Sequence, residues 1–211
     1  MKEVYLIRHS QKFNSYGIIE NSDLKQISEE KRILSVVGED FAKKFSNLEE
    51  LNNIDEIWSS NYVRAIDTAK YIADKNNLKI NISCCFDERH YGTFNEKIDK
   101  EVFWINQFKY SSLKNHDGES QIDVRNRFDN KLNELLASDN KRIAIVCHNA
   151  AILFYLLKYC TLNDAKIPKK ITLTYNKKIL INNGIMESPS MFKLVFSGFE
   201  LVDIDYIKLD K

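Results

Sequence analysis

Arg8 and His9 directly follow a short apolar run, Val4-Tyr5-Leu6-Ile7, and this junction is the most informative point in the chain. A guanidinium presents a planar fork of donors that matches the divided charge of a phosphoryl group. An imidazole beside it can serve as nucleophile or proton carrier. Together they point to phosphate chemistry. Two other places repeat the arrangement. The apolar run Ile54 to Trp58 ends in Ser59-Ser60 and leads to Arg64, in the first turn of an amphipathic pattern. The run Ile143 to Cys147 ends in His148. If the three runs are parallel strands, their carboxyl ends share one sheet edge, where open α/β sheets place reacting groups. Arg8, His9, Arg64 and His148 would then surround one pocket. The N-termini of the helices that follow would add positive dipole ends and free N–H groups.

The elements needed to position these residues are visible in the hydrophobic pattern. Leu34, Val37, Phe41, Phe45 and Leu48 recur at helical spacing, with Ser35 as N-cap. Val63, Ile66, Ala69, Ile72 and Ala73 form a second such face, and Ile80 to Ile82 a short strand. Phe86 to Glu119 is irregular, with one short helix around Val102 to Phe108. Ser120 and Asp123 resemble a capping box ahead of the face Val124, Phe128, Leu132, Leu135 and Leu136. Ala150 to Tyr159 is apolar nearly all round and reads as a buried helix. This alternation is the βαβ rhythm of a mainly parallel sheet covered on both faces, a three-layer αβα sandwich. Near the C-terminus, Ile171 to Tyr175, Phe192 to Phe196 and Val202 to Tyr206 alternate, with Ser197-Gly198 as a turn. They read as antiparallel strands added at the sheet edge, which also offers a homodimer surface. One domain over residues 1–211 is expected, with rim segments at about 11–32 and 93–117.

Composition narrows the function. The chain has 211 residues, 44% of them hydrophobic and 29% charged, which suits one globular domain. A formal net charge of +1 gives no global attraction to nucleic acid or an anionic membrane, so any electropositive site is local. No signal-peptide pattern is present, and the longest apolar stretch is too short to cross a bilayer. The four cysteines form no C-x-x-C pair, so reduced thiols in a cytoplasmic protein are expected. Cys147 reads as a small buried hydrophobe.

The motifs around these positions resemble the histidine phosphatase superfamily, the phosphoglycerate-mutase-like proteins. The family's R-H-G appears here as Arg8-His9-Ser10. Its S-S-x-x-x-R-A-x-x-T-A stands as Ser59-Ser60-Asn61-Tyr62-Val63-Arg64-Ala65-Ile66-Asp67-Thr68-Ala69. Its acid segment stands as Glu88-Arg89-His90-Tyr91-Gly92, followed by Gly118-Glu119-Ser120 and Val146-Cys147-His148-Asn149. The resemblance implies His9 as nucleophile, with its other ring nitrogen held by a backbone acceptor. It implies Arg8, Arg64 and His148 on the phosphoryl oxygens, with His148 also catalytic, and Glu88 as proton donor and then base. It implies no metal and no cofactor. Asp87 competes with Glu88 as proton donor, and the glycine offset favours Glu88. Ser10, Asn14 and Ser15 are candidate phosphate donors in the loop after His9.

Several positions depart from the family pattern. Ser10 replaces a glycine, Ser15 stands where an Asn is common, and Asn61 replaces a frequent Pro. Arg89 and Tyr91 match substrate-touching residues of the mutases, which favours phosphoglycerate mutase-type transfer. Against it, the interval from Gly92 to Gly118 is short and has no arginine pair. The reading is therefore a phosphomonoester hydrolase acting on a small phosphorylated metabolite. The alternatives are a mutase, or a non-catalytic phospho-ligand or protein-binding module.

Overall fold

The apolar run at the N-terminus becomes β1 (Lys2–Arg8), with Val4 to Ile7 fully buried. Its side chains alternate between two cores, as a strand covered on both faces requires. Val4 and Leu6 enter one hydrophobic cluster, and Tyr5 and Ile7 enter the other. The structure is a computed structural model that describes residues 1–14, 22–93, 99–166 and 170–209.

After β1 come α1 (Ser22–Lys31), α2 (Val36–Ser46), β2 (Glu56–Ser59), α3 (Val63–Lys75) and β3 (Ile80–Ile82). Then follow α4 (Lys100–Lys109), α5 (Gln121–Ala137), β4 (Arg142–Cys147) and α6 (Asn149–Leu156). The chain ends with β5 (Thr161–Lys166), β6 (Lys170–Tyr175), β7 (Lys178–Gly184), β8 (Ser190–Ser197) and β9 (Glu200–Lys208). A six-stranded sheet runs β3-β2-β4-β1-β8-β9. β1, β2, β3 and β4 pair in parallel, while β8 and β9 pair antiparallel.

One face of this sheet carries α5 and α6 through Val124, Phe128, Leu132, Ile152 and Tyr155. The other carries α2 and α3 through Phe45, Ala65, Ala69 and Ile72. The three-layer α/β architecture is therefore present. Local signals set the helix starts. Ser35 accepts from the N–H of Gly38 at the head of α2, and Ser120 with Asp123 forms the full capping box of α5. The buried face of α2 is turned from the periodic reading, since Gly38, Ala42 and Phe45 are buried while Val37 is half exposed. A Cβ at Gly38 would lie 2.0 Å from the Gln11 carbonyl oxygen, so only glycine allows the loop after His9 to pass so close.

One expectation is corrected. β6, the Ile171 to Tyr175 segment, does not join the edge of the main sheet. With β5 and β7 it forms a separate three-stranded antiparallel sheet. Ile171, Leu173 and Tyr175 pack into the cluster shared with α6, so their alternation reports a half-buried strand that covers a helix layer. Only β8 and β9 extend the main sheet. The polar stretch 11–32 contains α1, and the irregular stretch after Phe86 contains α4. All four cysteines are free, and Cys147 is fully buried. Among the described residues, no helix is long and apolar enough to cross a membrane.

Candidate active site

Parallel pairing brings the carboxyl ends of β1, β2 and β4 side by side, with Arg8 opposite Cys147 and Ser59 opposite Val146. His9, Arg64 and His148 therefore converge, and all three are nearly sealed from solvent at 7%, 3% and 0% exposure. The His9 and His148 rings lie edge to face, with centroids 5.1 Å apart.

The hydrogen bonds assign the protons. Nδ1 of His9 donates to the carbonyl oxygen of Ser10 at 2.7 Å, because a carbonyl can only accept. Nε2 is left with its lone pair and accepts from Nε of Arg64 at 3.0 Å. Burial, then Arg64 and Arg8, push the His9 pKa well below its usual value. His9 is thus a neutral imidazole whose Nε2 lone pair is directed at a guanidinium that donates to it. His148 is arranged the other way round. Nη2 of Arg64 donates to its Nδ1 at 3.3 Å, and its Nε2 donates to Ser60 Oγ at 2.7 Å. Burial, then His9 and Arg64, hold its pKa low as well.

Arg64 is held from several sides. The Tyr62 ring lies 4.7 Å from its guanidinium, and its Nη1 donates to the Glu29 carbonyl at 2.5 Å. Arg8 donates through Nη1 to the Met186 carbonyl, while its Nε is buried without a partner. Ser188, in the β7–β8 loop, donates to the His9 carbonyl at 2.7 Å. That loop therefore braces the Arg8-His9 pair.

Glu88 places its carboxylate on the start of α6. It accepts from the N–H groups of Ala150 and Ala151 at 3.1 and 3.2 Å, and from Arg89 N at 3.0 Å. This sets it directly beyond His148, and its charge acts on both Arg8 and Arg64. Asp87 is engaged elsewhere. It accepts from the backbone and side-chain amides of Asn61, so it caps the segment leading into α3. Burial raises its pKa to about 6.

The remaining candidates take other roles. Arg89 is 2% exposed, and its donors are spent on the carbonyls of Glu119 and Leu113 and on Gln107. It ties the rim to the body rather than facing the pocket. Tyr91 stands over it, 5.2 Å from ring centroid to guanidinium. Ser10 is fully buried, with Oγ donating to the Gly38 carbonyl and N–H donating to Thr68 Oγ1. Its φ is not positive, so serine in the place of glycine brings no backbone strain. Asn14 is exposed, and Ser15 lies outside the described residues.

Sequence reasoning missed Thr68, Lys12, Glu29, Arg32 and Arg127. Thr68 had a signal, since it lies one helical turn after Arg64 and donates to its carbonyl. Glu29 joins the site through Arg64, far along the chain, and Lys12 and Arg32 join it through Glu29. Arg127 bonds Glu119 through two nitrogens, at 2.7 and 3.0 Å, and the carbonyls of Cys85 and Asp87 at 2.8 and 2.9 Å. It clamps the segment that carries Glu88. Among the described residues, no group of three or more His, Cys, Asp or Glu is placed to hold a metal ion.

Two histidines and two arginines thus stand at the carboxyl edge of the parallel strands of an α/β sandwich. The family model for the histidine phosphatase superfamily (branch 1) matches residues 4–179, and the chain belongs to that superfamily. β8 and β9 lie beyond the matched range, yet both are built into the main sheet. Among solved structures, a mycobacterial glucosyl-3-phosphoglycerate phosphatase with inorganic phosphate is similar at TM-score 0.67 and 19% identity. The match covers 98% of this chain and 95% of that one. Phosphoserine phosphatase from Entamoeba histolytica with 3-phosphoglyceric acid matches at TM-score 0.64 and 19% identity, covering 99% and 98% of the two chains. YhfR from Bacillus stearothermophilus matches at 0.65 and 15% identity, covering 96% and 95%. No curated protein matches by sequence.

Proposed function

We propose that this chain hydrolyses small phosphomonoesters through a covalent phosphohistidine on His9. The observation that carries this reading is the His9 ring itself. It is neutral, it is fixed by Ser10 in the tautomer that frees Nε2, and that nitrogen faces Arg64. Nε2 attacks phosphorus and the ester oxygen departs, taking a proton from Glu88. Water then attacks the phosphohistidine, giving its proton to the Glu88 carboxylate, and inorganic phosphate leaves with His9 restored. Arg8 and Arg64 hold the phosphoryl oxygens as charge moves through them, and His148 joins them when its Nε2–H turns from Ser60 to an oxygen. The buried, partnerless Nε of Arg8 has a donor to give. Two of the similar folds are named as phosphatases of small phosphorylated metabolites, which supports the same class here.

Arg89 favours hydrolysis over mutase-type transfer. Its guanidinium is consumed inside the rim, so it does not hold an intermediate for rephosphorylation. The test is turnover of an aryl phosphate, with quenched samples assayed for acid-labile phosphate on the protein. Wild type should turn over and label, with or without a chelator, and His9→Ala should do neither. Equal rates in the two proteins would remove the reading, and interconversion of 2- and 3-phosphoglycerate would replace it with a mutase.

A further inference from the structure

Among the described side chains of α1, Glu29 reaches the site with both of its acceptor groups. Its backbone carbonyl accepts from Nη1 of Arg64 at 2.5 Å. Its carboxylate pairs with Lys12 Nζ at 3.0 Å and Arg32 Nη2 at 2.9 Å. Lys12 follows His9 by three residues; its charge acts on His9, and the charge of Arg64 acts on it. Three cations, Lys12, Arg32 and Arg64, thus meet on one acid residue. Arg32 also keeps a buried Nε without a partner.

We propose that Lys12 and Arg32 form a second anion subsite that reads a carboxylate on the phosphorylated substrate, and that Glu29 occupies it until that substrate binds. The inference rests on the phosphomonoesterase reading and narrows its substrate class. Arg64 can grip a phosphoryl oxygen through Nη1 only when the Glu29 carbonyl leaves. The Glu29 carboxylate moves with it, and Lys12 and Arg32 lose their partner. A substrate that brings both groups replaces both contacts in one step. A bare phosphomonoester replaces only the first and leaves two half-buried cations uncompensated. The two acceptors of Glu29 belong to one residue, so phosphoryl and carboxylate must be separated by a short chain.

The C-terminal part of α1 is suited to yield. None of Gln26 to Lys31 is buried, and Ile27 is half exposed. Apart from the Glu29 contacts, Gln26 donates to the Tyr62 hydroxyl at 2.8 Å. Polar ties of this kind exchange readily with water or ligand.

The test is equilibrium binding, which needs no turnover. Calorimetry compares 2-carboxyethylphosphonate with propylphosphonate, which differ in the carboxylate. Wild type should prefer the carboxylated ligand by roughly tenfold, the effect of about 1.4 kcal/mol. Lys12→Met and Arg32→Met should each bring the ratio close to one, Lys12→Arg should retain it, and Glu29→Gln should raise it severalfold. Thermal melts of each variant identify any that fail to fold, and Lys12→Arg and Glu29→Gln decide the matter if the methionine variants do. A wild-type ratio near one, no binding of either ligand, or a ratio unmoved by these substitutions would overturn the proposal. Phosphatase activity with this subsite absent would leave the hydrolase reading standing. Carboxylate-selective binding without His9-dependent turnover would do the reverse.

Discussion

His9 and His148 are both buried but hold opposite tautomers, and their acceptors and donors decide which ring can attack phosphorus. The Ser10 carbonyl takes the Nδ1 proton of His9, whereas Arg64 takes the Nδ1 lone pair of His148. Only His9 presents an unprotonated Nε2, which accepts from the guanidinium, and only His148 has an Nε2 proton committed to Ser60. Glu88 is distinguished from Asp87 in the same way, by what its carboxylate touches. It sits on the first N–H groups of α6, beside His148, whereas Asp87 is bound to Asn61. If Glu88 protonates the departing oxygen, its importance must depend on how basic that oxygen is. Glu88→Gln should lower kcat for an alkyl phosphate by roughly 10²–10⁴-fold, the usual contribution of general acid catalysis. A nitrophenyl phosphate, whose leaving group needs little protonation, should lose much less in the phosphorylation step. Rapid-quench kinetics on the two ester types measures the difference, and equal losses would assign the proton elsewhere.

The segment from Cys85 to Gly92 gives Glu88 its position, and it is shaped from both ends. Arg127 and Glu119 fasten it from α5 and its N-terminal side, with Glu119 also accepting from the His90 N–H at 2.9 Å. Gly92 ends it at φ +66, where an added Cβ would stand 2.2 Å from the His116 carbonyl oxygen and 2.5 Å from the Gly118 nitrogen. Backbone atoms on both sides cannot give way. Gly92→Ala should therefore cost roughly 2–4 kcal/mol in urea unfolding and lower kcat for alkyl phosphates as Glu88 shifts. A variant with wild-type stability would show that the turn is not required. Gly92 was legible only as part of the resembled motif Glu88-Arg89-His90-Tyr91-Gly92, whereas the Ser35 and Ser120 caps were legible from local pattern. The convergence of Arg8, His9, Arg64 and His148 was legible too, since parallel strands bring their ends together. The destination of β6 was not. Alternating side chains report a buried face, but not the layer it covers. α1 buries no side chain among Gln26 to Lys31, so it leaves no hydrophobic period to read. The bracing of Arg8 by Met186 and of His9 by Ser188 spans most of the chain, and no local pattern encodes it.

A site that keeps two imidazoles neutral among arginines makes the stability of the entire fold depend on pH. In the unfolded chain both rings bind a proton near pH 6.5, whereas in the folded protein burial and nearby cations hold both pKa values well below that. Below about pH 6.5 the unfolded state therefore carries more protons than the folded one. Stability rises with pH through this window, is fully present above it, and is lost as pH falls toward the lowered values. Each ring contributes a slope of at most about 1.4 kcal/mol per pH unit. Asp87 works against them, because burial raises its pKa from 3.8 to about 6 and the folded state gains that proton first. Between about pH 4 and 6 it cancels up to one ring's worth of slope, leaving a net loss equivalent to the other. Glu3, Glu29 and Glu119, whose pKa values are lowered by partners, add their own losses only below about 4.5. Urea unfolding at pH 7.5, 6.5 and 5.5 should then show little change across the first step and a clear fall across the second. His148→Asn should flatten that fall and Asp87→Asn should steepen it. Equal stability of the wild type at pH 7.5 and 5.5 would mean that the rings accept protons within the fold, and that His9 is not held ready as a neutral nucleophile.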